Sequence, residues 1–288
     1  MDYSLSEWIS LVGSGSIAEA AIRRQARQAG MTEQETRQVM LERLQTMRDA
    51  VATGLQEDVR SNTGLTGGQA ATLMKRLREG KCLSGHLLGK AQVYALATAE
   101  CNAAMGVIVA APTAGACGIL PGALLAMMEE RGATEEAVVD ALFTAAAVGQ
   151  AIATQASISG AEGGCQAECG SGAAMTAAAL VALEGGSPRQ CADAAAFALM
   201  NLLGLVCDPV GGLVEVPCVY RNVGAVSVAF SAADMVLGGL VCPIEPDEVI
   251  LAMKEVGDAL PATLRETGEG GCAACPSICA RLAGVKQG

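Results

Sequence analysis

An all-α fold is predicted by three features of the sequence: apolar residues at helical spacing, repeated N-cap signals and a shortage of strand formers. Of the 288 residues 51% are hydrophobic, yet only 2% are aromatic. A core with so few rings must be built from Ala, Val, Leu, Met and Cys, which suits closely packed helices better than a β-sandwich. Strand-like alternation is confined to residues 213–219, where Pro217 interrupts it.

The first clear helix opens at Thr32-Glu33-Gln34-Glu35, which has the spacing of a reciprocal N-cap. Met40, Leu44, Met47 and Val51 then recur on one face. Residues 1–60 therefore read as an N-terminal amphipathic segment that carries much of the charge. "RSNTGLTGG" at 60–68 breaks the pattern and joins it to an Ala-rich helical body over 61–288.

Within that body, helices are expected over 71–79 and 90–104. A further one starts at Pro121 or Gly122 and runs to Glu130. Thr134 caps the next, with Glu135 and Glu136 in the first turn where the helix dipole favours acids. Ser187-Pro188-Arg189-Gln190 supplies an N-cap, a proline at the first helical position and a reciprocal Gln, for a helix ending at Gly204. Pro246-Asp247-Glu248 opens the last long helix, with Val249, Met253, Val256 and Leu260 on one face.

A formal net charge of −11 and a pI near 4.6 argue against a nucleic-acid partner, which rewards Lys/Arg stripes. Residues 101–128 and 141–161 carry no charge and are long enough to span a bilayer. Asn102, Pro112-Thr113 and Pro121-Gly122 break the first; Gln150, Thr154 and Gln155 punctuate the second. Neither has an aromatic belt or flanking basic cluster. Both read as buried helices, and no membrane association is expected. The opening "MDYSLSEWISLVGSG" lacks a basic leader, so a cytoplasmic location is expected.

Twelve cysteines in a reducing compartment point to metal ligands or buried thiols rather than disulfides. Cys101, Cys117, Cys191 and Cys242 sit among Ala, Val and Leu and read as small core residues. Others lie in Gly- and Pro-bearing loops: Cys165 and Cys169 in "SGAEGGCQAECGSGAAM", Cys207 and Cys218 in "LVCDPVGGLVEVPCVYRN". With "APTAGACGILPG", these loops can present backbone N–H groups to a buried ligand.

Together with "SNTGLTGG", "KCLSG", "ECNAAMGVIVAAPTAGACGILPG" and "LRETGEGG", these stretches resemble the alpha chain, or catalytic domain, of iron–sulfur-dependent L-serine dehydratase, over nearly the whole chain. The resemblance implies that Cys165, Cys207 and Cys218, spaced by 42 and 11 positions, hold a [4Fe-4S] cluster with one iron free of cysteine. Iron–sulfur clusters take thiolate ligands, and an open metal position can act as a Lewis acid. It further implies that L-serine loses its α-proton to a base and its 3-hydroxyl to the cluster, the aminoacrylate then yielding pyruvate and ammonia. Cys169 is then a neighbour of the ligands, or packing.

The same resemblance makes Thr113, Gly115 and Gly118 a substrate-binding stretch, with Thr113 on the serine carboxylate. A helix-capping turn is the alternative for these residues. Arg221 and Asn222 are candidates to neutralise carboxylate or cluster charge, with an ordinary buried Arg–acid pair as the competing reading. No catalytic residue is assigned. His86, the only histidine, reads as part of a helix start. The resemblance places histidine chemistry in a separate beta subunit, so a beta partner, a homo-oligomer, or both are expected.

One departure from the family pattern stands out. Cys272, Cys275 and Cys279 have C-x2-C-x3-C spacing. A second metal site, a thiol visiting the open iron, and small residues packed on a helix all remain open. A pyridoxal-phosphate enzyme needs a Schiff-base lysine near a glycine phosphate cup, and none of the five lysines has that setting, so no such cofactor is expected. Cysteine desulfidation on the same cluster, or a non-catalytic iron–sulfur redox or sensor protein, are the alternative functions. Electron carriers usually close all four positions with cysteine.

Overall fold

The computed structural model describes residues 3–13 and 15–285, with side-chain surroundings as far as residue 282. Three helices come first: α1 (Leu5–Leu11), α2 (Ile17–Ala29) and α3 (Glu33–Gly54). Each opens on a reciprocal cap, Ser4 with Glu7, Ser16 with Glu19 and Thr32 with Glu35. The third is the one expected from the sequence, and its Leu44, Met47 and Val51 are buried.

The body follows with α4 (Gln69–Arg78), α5 (Gly85–Ala103), α6 (Ile119–Arg131) and α7 (Glu135–Gln155). After α8 (Gly160–Gly163), a π-helical turn at Gln166–Gly170 runs directly into α9 (Ser171–Leu183). Then come α10 (Pro188–Leu202), α11 (Cys218–Leu237), α12 (Pro246–Ala259) and α13 (Pro276–Val285). Among the described residues there is no sheet, and one parallel bridge pairs Cys207 with Arg265. The chain is all-α.

Helix α9 is central: it packs against α6, α7, α10 and α11, and every residue from Ser171 to Val181 is buried. A helix enclosed on all sides has no polar face, so it shows no amphipathic stripe. The N-terminal helices dock onto this body, α2 on α7 and α3 on α5, and share its apolar core. At the α3–α5 crossing a Cβ on Gly54 would overlap the Ala97 carbonyl, so glycine sets the closeness of the two helices.

Helix α6 starts two residues before Pro121, which falls in the first turn where its missing N–H has no intrahelical acceptor to lose. Residues 101–128 are interrupted between Ala103 and Ile119, so they do not form one long helix. Helix α7 is long and apolar enough to cross a bilayer by length and composition, but 67% of its most apolar window is buried inside the protein. The alternating segment near 213–219 forms no strand; a short turn at Val210–Gly212 leads past Pro217 into α11.

Candidate functional site

The three loop thiols arise from three different elements. Cys165 sits at the head of the π-helical turn that precedes α9. Cys207 lies on the loop after α10, and Cys218 is the first residue of α11. All three are buried, at 1%, 2% and 5% exposure. They lie within electrostatic reach of one another. Burial, then the neighbouring Cys165, push the Cys207 thiol well up and the Cys218 thiol up to about 12.

The Cys165 and Cys169 sulfurs are 3.4 Å apart. This hydrogen bond, against the effect of burial and with help from the Arg221 guanidinium, holds Cys165 below the ordinary thiol range. The same bond and burial push Cys169 well above it. Arg221 lies beside Cys165 and adds to the lowering of that member of the pair. Cys169 is fully buried.

A residue that sequence reasoning missed lies at the centre of this group. Glu168 is buried, and its Oε1 accepts a 2.8 Å hydrogen bond from Thr113 Oγ1. Its Oε2 is 3.9 Å from Cys207 Sγ. Burial raises its carboxyl above the usual carboxylate range, partly offset by the Thr113 bond. The backbone makes room for it: a Cβ on Gly160 would come within 2.8 Å of both the Cys207 sulfur and the Glu168 carboxylate. The signal in the sequence was a lone charge, since Glu168 is the only charged residue from 163 to 183.

The other expected substrate residues have more mixed positions. Gly115 faces Glu168, where a Cβ would be 3.2 Å from the carboxylate. The Gly118 amide donates to Asn222 Oδ1 at 2.8 Å, and a Cβ on Gly118 would overlap the Ala95 carbonyl. Asn222 Nδ2 donates to the carbonyls of Gly115 and Cys218 at 2.7 and 2.9 Å. Asn222 thus staples the 113–118 loop to the head of α11, with its amide atoms engaged by protein.

Arg221 donates to Val206 O at 2.8 Å and to Asp208 Oδ1 at 2.6 Å. It therefore braces the loop that carries Cys207 while facing Cys165. The motif at 60–68 closes the periphery. Buried Glu215 accepts from Ser61 Oγ, from Thr63 Oγ1 at 2.6 Å, and from the amide and hydroxyl of Thr66 at 3.0 and 2.9 Å. Fully buried Glu100 accepts the Gly67, Gln69 and Ala70 amides at 3.0–3.1 Å, capping α4.

His86 is remote from these groups in role. It lies in the first turn of α5 and pairs through Nδ1 with Glu130 at 2.7 Å on an exposed surface. Cys101, Cys117, Cys191 and Cys242 are buried core residues. Cys272, Cys275 and Cys279 are all exposed; Cys279 lies on α13, and Cys272 on the 3-10 turn before it.

Among the described residues no three His, Cys, Asp or Glu side chains form a group able to hold a metal ion. A multi-iron cluster places its ligands at separate corners and asks for sulfur donors, rather than one tight chelate. Three buried thiols from three different elements, two pushed up by burial and one held down by the Cys169 hydrogen bond and Arg221, fit that kind of group. The arrangement places a hydroxyl and a buried carboxylate, Thr113 and Glu168, on the side of the Cys207 thiol.

The sequence model of the family "Serine dehydratase alpha chain" matches residues 14–273. A probable L-serine dehydratase alpha chain of Bacillus subtilis is 51% identical over 261 residues, covering 91% of this chain and 87% of the relative. The L-serine dehydratase alpha chain of Peptoniphilus asaccharolyticus is 40% identical over 257 residues, 89% of this chain and 88% of the relative. An L-serine dehydratase of Streptomyces coelicolor is longer: the match, at 38% identity, takes in 93% of this chain but 59% of that one. With the thiol loops, the central helix and the 113–118 loop all inside the matched span, the chain belongs to the serine dehydratase alpha chain family.

Proposed function

We propose that this chain is the catalytic subunit of an L-serine dehydratase, which converts L-serine to pyruvate and ammonia. Cys165, Cys207 and Cys218 would hold a [4Fe-4S] cluster. When bound, the cluster supplies a Lewis acid that weakens the bond to the 3-hydroxyl of the substrate. The remaining chemistry falls to the chain itself. Thr113 Oγ1 orients the amino acid from the 113–118 loop, which Asn222 holds in place. Glu168 accepts the α-proton at a carboxylate oxygen, and its burial brings its proton affinity nearer to neutrality, where a general base is most effective.

The helices around the site exclude bulk water, so the charge that develops at the α-carbon is met by fixed donors. Arg221 braces the Cys207 loop beside that charge. The aminoacrylate left by elimination tautomerises and hydrolyses to the two products. The observation that carries this reading is the single buried carboxylate between the Thr113 hydroxyl and the Cys207 sulfur.

Two relatives are named alpha chains, and the Streptomyces protein carries about two-fifths more of its length outside the match. We infer that full activity needs a separate beta subunit. The test is anaerobic iron and sulfide quantitation beside pyruvate formation from L-serine, with and without that subunit. Cluster-level iron with serine-dependent pyruvate is expected. Full activity without iron, or no pyruvate from the loaded two-subunit protein, overturns the proposal.

A further inference from the structure

The three exposed thiols of the described chain are Cys272, Cys275 and Cys279, grouped on one short segment. Residues Gly271–Ala274 form a 3-10 turn, and Cys275 stands at the head of α13. The Cys275 amide donates to the Cys272 carbonyl at 3.2 Å. A turn closed this way brings the two α-carbons to within about 7 Å, the upper end of the separation that a disulfide spans. Cys275 Sγ lies 3.8 Å from the Gly271 carbonyl, so it is folded back toward the start of the turn that carries Cys272. Cys279 Sγ is directed at the Ala273 carbonyl, 3.5 Å away.

The turn is anchored to the body. The Cys272 amide donates to Asp208 Oδ2 at 2.6 Å, and Asp208 is itself paired with Arg221. Gly271 has φ +58 and presses so closely on Asp208 that a Cβ there would overlap the carboxylate. Such anchoring holds the thiols near each other before any bond forms, so little conformational freedom is lost on closure.

We propose that Cys272 and Cys275 form a surface dithiol that low-molecular-weight disulfides oxidise reversibly to an intramolecular disulfide. The step balances without a further reactant. One thiolate attacks the external disulfide RSSR, forming a mixed disulfide and releasing RSH. The second thiolate then displaces the remaining R group, forming the Cys272–Cys275 bond and a second RSH. Both protein sulfurs are oxidised and both R sulfurs reduced. The buried trio at 165, 207 and 218 is shielded from this exchange by its burial.

The test treats the full chain with glutathione disulfide, blocks free thiols with N-ethylmaleimide and maps the peptides by mass. A Cys272–Cys275 cross-link is expected, removed by dithiothreitol and formed equally in Cys279→Ser. Cys272→Ser should stop at a single glutathione adduct on Cys275. These side chains are exposed, so the helical circular dichroism of the variants should match the parent. Stable adducts on both cysteines, an unmodified pair, or a cross-link through Cys279 overturns the proposal.

Discussion

The Thr113 hydroxyl donates a 2.8 Å hydrogen bond to the Glu168 carboxylate, across 55 positions of sequence. This contact joins the 113–118 loop to the π-helical turn before α9, and it brings a hydroxyl and a carboxylate to the Cys207 sulfur. Asn222 makes a further polar link between the 113–118 loop and the thiol-bearing segments, through the Gly115 and Cys218 carbonyls.

Glu168→Gln keeps the shape and the Thr113 contact but removes the proton acceptor. Turnover should fall by about a hundred- to ten-thousand-fold, the usual contribution of a general base. Iron and sulfide content should stay at the parent level. Parallel loss of iron would instead make Glu168 a support for cluster assembly.

Serine substitution at Cys165, Cys207 or Cys218 should each lower bound iron and abolish turnover. Cys169→Ser should retain iron, since the hydrogen bond of Cys169 to the trio is to Cys165 and its own position is that of a neighbour. Cys191→Ser, in the core of α10, is the control and should also retain it. Iron assays on anaerobically purified variants separate the two groups.

Asn222→Ala strands the Gly118 amide and the Gly115 carbonyl in a buried setting. Leaving such groups unpaired should destabilise the protein by about 1–3 kcal/mol. The loosened loop should raise KM for serine more than it changes iron content. Thermal unfolding and steady-state kinetics on one preparation check both effects.

Asp247 ties the chain's first helix to its last long one. It accepts from the Leu5 and Ser6 amides at 2.8 and 3.0 Å, from the Ser6 hydroxyl at 2.5 Å and from Gln155 at 2.8 Å. Burial would raise its carboxyl, but these donors prevail and hold it below the usual value of 3.8. A depressed folded-state value means that its stabilisation is present above 3.8 and is lost as pH falls through the lower folded value. Asp247→Asn should therefore lower Tm at neutral pH by an amount worth about 1–2 kcal/mol, allowing for solvent screening, and the gap to the parent should close in strong acid. Thermal scans at several pH values follow it.

Local signals made much of the fold legible. Thr32, Thr134 and Ser187 cap helices where the sequence places them, because an N-cap satisfies amides only two or three residues away. The caps at Ser4 and Ser16 carried the same signal and were missed. Helices α9 and α11 were not legible by periodicity: α9 is enclosed on all sides, and α11 follows a proline loop that resembles a strand.

The site divides in the same way. The cysteine positions could be singled out from glycine-rich loops and a family resemblance, but the lone charge of Glu168 did not say which residues it would meet. Asn222 and Gly118 read as substrate residues, whereas packing engages their polar atoms in a staple between loop and helix. The sequence by itself determined the helices that open at Thr32, Thr134 and Ser187 and singled out the loop cysteines, since caps and loop composition depend on residues a few positions apart. Only the tertiary structure decided that Thr113, Glu168 and Cys207 meet, because that meeting depends on how α9, α11 and the loops between them stack, and no short-range rule encodes such packing.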